Sequence, residues 1–416
     1  EVMKYQDKWE EVTRLMGYWV DMKSPYVTYH NSYIESVWWL LKNLYDKNLL
    51  YKGYTIQPYS PAAGTGLSSH ELNQPGTYKN VKDTTVVAQF KVKKEERSSF
   101  LFSDDIPVYF LAWTTTPWTL PSNTALAVGK KITYVLVETF NSYTGQPIKV
   151  LLAKDLTNKY FSDKNAELQL ADYKPGDKNI PYKYLNEFKG IELEGLHYEQ
   201  LLPFEANTKE KIDGDAFKVV IGDFVSTEDG TGIVHIAPSF GADDFRTAKQ
   251  NGLGTLTLVD KRGRFIEGVG EFSSEFVKEQ YLTDAEKEEE KKKQGGDKYL
   301  SVDERIAIKL KKENKAFKVE KYEHNYPHCW RTDKPVLYYP LDSWFVRTTA
   351  MKDRMVELNK TINWKPEATG TGRFGNWLEN LQDWNLSRSR FWGIPLPIWR
   401  TEDAAEEICI GSVNQL

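Results

Sequence analysis

The stretch Ala112-Trp113-Thr114-Thr115-Thr116-Pro117-Trp118-Thr119-Leu120-Pro121-Ser122-Asn123 decides how the rest of the chain is read. An apolar strand over 107–113 runs into three threonines and is stopped by Pro117, which has no N–H to give to a sheet ladder. Hydroxyls and backbone N–H groups are thereby left at a strand end, where an ester carbonyl, a ribose hydroxyl or a held water can reach them. Two readings stand at this level. The strand end presents polar groups to a ligand, or the threonine run simply favours β structure.

From about residue 82 the chain reads as strands. Val86, Ala88, Phe90 and Val92 fall on one face of Asp83–Lys93, alternating with Thr85, Val87, Gln89, Lys91 and Lys93. Segments 134–138 and 149–153 flank Ser142-Tyr143-Thr144-Gly145, a hairpin signal. Further strands are expected over 217–225, 232–237 and 255–259, so a compact β-barrel-like domain is predicted. Residues 1–50 read as helical, with Asn31 as an N-cap, apolar residues Ile34, Val37, Trp38 and Leu41 at helical spacing, and Asn48 as a stop. Residues 51–75 carry Pro58, Pro61, Gly64 and Gly66 and read as an irregular connector.

The run Ala285–Lys293 is almost wholly charged and reads as a solvated helix, with Glu288–Lys292 and Glu289–Lys293 spaced to pair. Gln294-Gly295-Gly296 ends it, and Ser301 with Glu304 forms a capping box for the next helix.

Bulk properties narrow the class. The 416 residues suffice for two or three domains, and 13 Trp, 24 Tyr and 19 Phe supply the buried area that disordered chains lack. A net charge of −4 gives no global nucleic-acid footprint, although a local patch would serve to grip one end of an RNA. Two cysteines, Cys329 and Cys409, point to a reducing cytoplasm rather than a disulfide framework. No apolar run reaches the roughly 18–20 residues that a membrane span needs. Glu1 rather than Met opens the chain and 410–416 shows no closing turn, so a piece cut from something longer is expected.

Three other segments carry chemistry-bearing residues. In Glu228-Asp229-Gly230-Thr231-Gly232-Ile233-Val234-His235-Ile236-Ala237-Pro238, a glycine turn feeds a short strand containing His235. Gly241-Ala242-Asp243-Asp244-Phe245 then presents two carboxylates near a helix start. One carboxylate would suit an ammonium group with His235 beside it, or Asp caps the helix and His packs in the core. His324-Asn325-Tyr326-Pro327-His328-Cys329 holds three metal-ligand types, but no second cluster completes a tetrahedral site, so its role is structural. Ser387-Arg388-Ser389-Arg390-Phe391-Trp392-Gly393 is either a phosphate-contacting edge or an ordinary solvated one.

In this order the segments resemble isoleucyl-tRNA synthetases. Trp113–Asn123 resembles that family's Thr-rich editing signature, Gly230–Asp244 its companion motif, and Pro327–Arg331 and Ser387–Gly393 the return of the chain to the catalytic body. Valyl and leucyl enzymes typically carry Arg soon after the paired threonines, followed by an acidic residue. Thr116-Pro117-Trp118 stands here instead. The His-Ile-Gly-His and Lys-Met-Ser-Lys-Ser nucleotide signatures are absent, so the piece would begin after the first and end before the second.

The resemblance implies an α/β fold: a β-barrel-like editing domain (82–322, with a charged insertion near 284–298) between flanking parts of a class I Rossmann-type catalytic domain (1–81 and 323–416). It implies that the parent charges tRNA(Ile) with isoleucine using ATP and Mg2+. This piece would need no cofactor and hydrolyse mischarged Val-tRNA(Ile). Asp244 would anchor the α-ammonium, and Thr114, Thr115 and Thr116 would bind the terminal adenosine, Thr115 also helping to exclude isoleucine. His235 would contact the aminoacyl side chain. Trp113, Asn123 and Gly241 complete the expected binding set, with Asn123 supporting the loop. Residues near Ser60–Gly64 lack the cysteines that some relatives use for zinc, so no metal is expected. The expected partners are the tRNA(Ile) 3′ end and an aminoacyl-adenosine, with a monomeric, cytoplasmic enzyme and no membrane. A non-catalytic tRNA-end binding module and an editing piece of a valyl or leucyl enzyme are the alternatives.

Overall fold

The computed structural model describes residues 2–388 and 393–416. The chain divides into two compact units, one formed by Tyr54–Leu341 and the other by the described residues before and after it. Segments 54–81 and 323–341, read from the sequence as flanking, fall within the larger unit.

In the smaller unit the Asn31–Asp46 helix buries Trp38 and Leu41. His30, in extended conformation, occupies the N-cap position expected of Asn31. Asn48 ends the helix with φ 55°, a left-handed turn that Asn tolerates through its short polar side chain. Of the arginine-serine segment, Ser389, Arg390, Phe391 and Trp392 lie outside the described residues.

The larger unit is built on a six-stranded mixed sheet. Its order is Ala316–Pro327, Tyr78–Lys91, Val108–Thr114, Pro147–Ala153, Thr133–Phe140, Lys183–Lys189. Alternation along the strands explains why both faces are covered. Val86, Ala88 and Phe90 join Phe110, Ala112 and Leu151 in one core, while Val87 joins Tyr109, Leu111 and Val150 in another on the opposite face. Truncating Phe110, fully buried at the sheet centre, to Ala would cost about 3–5 kcal/mol. The hairpin signal at Ser142–Gly145 connects antiparallel strands, with Gly145 at φ 69°.

A second, three-stranded sheet places Ala125–Val128 between Ile233–Ile236 and Lys218–Ile221. These open sheets, with helices against them, give the α/β class in a β-rich form. The charged run forms the Asp284–Gln294 helix with no buried residue, capped by a Thr283–Glu286 box. Lys293 pairs with Glu289 as the spacing suggested, whereas Glu288 pairs with Lys291 rather than Lys292. Ser301 and Glu304 form the expected capping box of the Val302–Lys312 helix. Among the described residues no helix is long and apolar enough to cross a membrane.

Candidate functional site

The Val108–Thr114 strand pairs antiparallel with Tyr78–Lys91 along its length, Val86 facing Thr114, but with Pro147–Ala153 only over 108–110. Its C-terminal end therefore runs free of one neighbour before Pro117 turns it. Thr116 N–H donates to Thr114 Oγ1 (3.1 Å), and Thr119 donates through its hydroxyl to Thr116 O (2.8 Å). These bonds tie the threonine run to the short turn that follows it, Pro117–Ser122, whose six residues are all buried. Polar groups at a strand end thus become a fixed wall instead of a fraying loop.

The opposite wall comes from the second sheet. Ile233–Ile236 pairs antiparallel with Ala125–Val128, His235 facing Leu126. Gly232, at φ 73°, leads into this strand, and a Cβ there would come within 2.4 Å of the Ala153 Cβ. Only glycine allows the strand to lie so close. The Ala242–Asn251 helix follows, with Gly241 as its N-cap and Asp243 and Asp244 in its first turn.

Between these walls lies a cavity of about 450 Å³. Trp113, Thr114, Thr115, Thr116, His235, Gly241 and Asp244 all line it. Asn123 does not: it is buried behind the wall, donating to Ala125 O (2.8 Å) and accepting from the Tyr198 hydroxyl (2.7 Å), so it braces the start of the Ala125–Val128 strand. The paired aspartates separate. Asp243 faces outward to Arg246 (2.9 Å), and Asp244 Oδ2 accepts the Ala237 N–H (2.8 Å).

Electrostatics set the cavity's character. Burial pushes the Asp244 carboxyl up to about 7, and the Asp243 charge adds to the rise. Burial pushes the His235 imidazole down to about 4, so it is neutral at pH 7. Its Nε2 lies 3.0 Å from Thr119 Oγ1, while Nδ1 has no hydrogen-bond partner. Burial alone would raise Asp229 at the rim. Hydrogen bonds from the Gly230 N–H, Lys159 and Tyr322 nevertheless hold its carboxyl below the usual range. Tyr322 also packs edge-on against Trp113, with ring centroids 5.3 Å apart. The chamber therefore combines apolar side chains, a row of hydroxyls, a neutral imidazole and one carboxyl poised to ionise. That set suits a ligand with a cationic head and a small apolar side chain.

Phe224, Ser226, Thr119 and Phe240 also line the cavity. Thr119 and Phe240 lie in or beside the quoted motifs, but nothing in the local pattern singles out Phe224 or Ser226. His324 approaches Asp83 (3.4 Å), His328 bonds through Nδ1 to Tyr326 O, and Cys329 is buried in a small apolar cluster.

A family profile described as tRNA synthetases class I (I, L, M and V) matches residues 1–416. The isoleucine–tRNA ligase of Cytophaga hutchinsonii is 66% identical over 100% of this chain, which spans 37% of that protein. The Bacteroides fragilis isoleucine–tRNA ligase is 61% identical, again over 100% of this chain and 37% of the relative. Among solved structures, the P. knowlesi cytosolic leucyl-tRNA synthetase editing domain overlaps 59% of this chain and 97% of its own. That overlap has 13% identity and a TM-score of 0.34.

Proposed function

The chain belongs to the class I tRNA synthetases, and from that premise we propose that its larger unit proofreads for an isoleucine–tRNA ligase by hydrolysing mischarged Val-tRNA(Ile). One observation carries the reading. Two stretches over a hundred residues apart, Trp113–Thr119 and Gly230–Asp244, converge on a single cavity of about 450 Å³. Such a volume lies within the usual range for small-ligand sites, about 300–1,000 Å³.

In this reading Asp244 binds the α-ammonium of the aminoacyl group. An incoming cation favours the ionised carboxylate and draws the Asp244 proton off. His235, being neutral, does not repel that ammonium. Thr114, Thr115 and Thr116 hold the ribose and ester end, and Thr115 narrows the side-chain pocket. A water held against the hydroxyl row attacks the ester carbonyl carbon, and the released ribose oxygen takes the proton. Positioning and fixed dipoles carry the reaction, since no side chain at the wall is set as a strong base.

The second site has a physical reason. One methylene in an apolar pocket is worth only about 1–3 kcal/mol, so a synthetic pocket admits valine at an appreciable rate. Charging of tRNA(Ile) with isoleucine is the matching proposal for the whole protein, of which this chain spans 37% in its relatives.

Single-turnover hydrolysis measured beside binding separates proofreading from a binding module. Val-tRNA(Ile) should be deacylated faster than its spontaneous rate, and tight binding without acceleration would reject the reading. A panel of mischarged valine and leucine tRNAs separates the isoleucine branch from its neighbours.

A further inference from the structure

Behind the threonine wall sits a buried ion cluster for which the reaction above has no use. Asp303, in the first turn of the Val302–Lys312 helix, accepts the Trp118 backbone N–H at 2.8 Å through Oδ1. Its other oxygen is 3.6 Å from Lys278 Nζ. Lys278, 4% exposed, also reaches Asp83 Oδ2 at 3.1 Å and lies 4.8 Å over the Tyr326 ring.

A buried ion pair is weak evidence for stability, because apolar residues of similar volume often serve the core as well or better. What the pair does hold is specific. Trp118 belongs to the fully buried Pro117–Ser122 turn, and its ring packs edge-on against Phe240 of the cavity wall at 5.0 Å. The next residue, Thr119, meets His235 at 3.0 Å. The Asp303 carboxylate therefore grips the backbone one residue from the contact that spaces the two walls.

We propose that the Lys278–Asp303 pair is a positioning device for substrate specificity, in which Asp303 clamps the Trp118 N–H and so fixes the gap between the threonine wall and His235 that one extra methylene must not enter. The inference rests on the hydrolytic reading given above. Burial pushes the Asp303 carboxyl up to about 6 and the Lys278 charge opposes that rise, so Asp303 is ionised at neutral pH, and the N–H bond to a charged acceptor is stronger than one to a neutral group. Asp303 touches no substrate and acts through the turn.

The test measures kcat and KM for Val-tRNA(Ile) and Ile-tRNA(Ile) hydrolysis by the full chain and three variants. Asp303→Ala leaves the Trp118 N–H unbonded. Asp303→Asn restores a neutral acceptor. The double variant Lys278→Met/Asp303→Leu removes both charges of the pair and leaves Asp83 with His324, at 3.4 Å, as its remaining partner. Asp303→Ala and the double variant should lose about tenfold or more in the valine-over-isoleucine ratio of kcat/KM, the scale expected for one buried donor left unmet. Asp303→Asn should recover most of the ratio. If Asp303→Ala fails to fold, the double variant decides. A folded variant lacking the acceptor that keeps the wild-type ratio, with any loss of rate shared equally by both esters, overturns the inference. A wild-type chain that hydrolyses neither ester overturns the hydrolytic reading itself and the inference with it.

Discussion

Thr119 Oγ1 and His235 Nε2 meet at 3.0 Å, joining the two cavity walls across 116 residues of sequence. The bond fixes one edge of the imidazole, while Nδ1 remains unpartnered and buried. Thr119→Val keeps the shape of the side chain and deletes the hydroxyl. Both ring nitrogens then lack a partner and Thr116 O loses the hydroxyl that donates to it, at a cost of about 1–3 kcal/mol for each buried group left unmet. Thermal unfolding should shift down and Val-tRNA(Ile) hydrolysis should slow. Unchanged values for both would show that the contact spaces nothing.

His235 also sets an acid limit. Its folded-state value near 4 lies below the ordinary 6.5, so the unfolded chain binds the extra proton between these values. Its contribution is complete above about pH 6.5 and is lost as the pH falls toward 4. Unfolding midpoints of wild type and His235→Gln, measured from pH 8 to pH 4, should converge on acidification. Parallel curves would contradict a buried neutral imidazole.

Asp244 carries the opposite sign. Its carboxyl is raised to about 7, so the folded state holds the proton over a window in which the unfolded state has released it. Its ionisation therefore destabilises the fold progressively as the pH rises from about 4 to about 7. Asp244→Asn should be more thermostable than wild type at pH 8, indistinguishable from it below pH 4, and inactive in hydrolysis. A functional site that gains stability on losing its charge is the expected trade-off. Equal midpoints at pH 8 would argue against the strained carboxylate.

Thr115→Ala enlarges the chamber beside the side-chain pocket. Hydrolysis of Ile-tRNA(Ile), slow in the wild type, should begin, with discrimination falling by about 10–200-fold if a full methylene is admitted. Ile-tRNA(Ile) left intact by this variant would remove Thr115 from the exclusion role.

Gly241→Ala tests how tightly Asp244 is held. Gly241 has an ordinary extended φ of −150°, so alanine strains no backbone there. Its Cβ would, however, come within 2.8 Å of the Asp244 carboxyl carbon. The expected result is a raised KM for Val-tRNA(Ile) with little change in thermal midpoint. An unaffected KM would mean that the carboxyl can move without consequence.

Much of this site was legible from local rules. Pro117 marks a strand end, Gly232 a left-handed entry to the His235 strand, and the Ser301–Glu304 box the helix that carries Asp303. Short-range signals suffice where the cause is itself short-range, as in capping, turn chemistry and alternation. Asn123 braces the chain at the loop it is expected to support, but its partner shows the limit. It sits in the right motif but points away from the cavity to Tyr198, a partner 75 residues distant that no spacing rule reveals. Phe224 and Ser226 escaped for the same reason, since their place on the wall depends on how the second sheet packs. The aspartate pair was ambiguous until the Ala242–Asn251 helix turned Asp243 toward Arg246 and Asp244 inward. Lys278 and Asp303 stand 25 residues apart among many similar charges, and only their burial distinguishes them.

Whether the chamber proofreads through Asp244 is decided by deacylation of Val-tRNA(Ile) and Ile-tRNA(Ile) by the wild-type chain beside Asp244→Ala. The wild type should clear Val-tRNA(Ile) and spare Ile-tRNA(Ile), while Asp244→Ala should leave both intact. Hydrolysis of Val-tRNA(Ile) by Asp244→Ala at the wild-type rate, or none by the wild type above the spontaneous rate, would contradict that role.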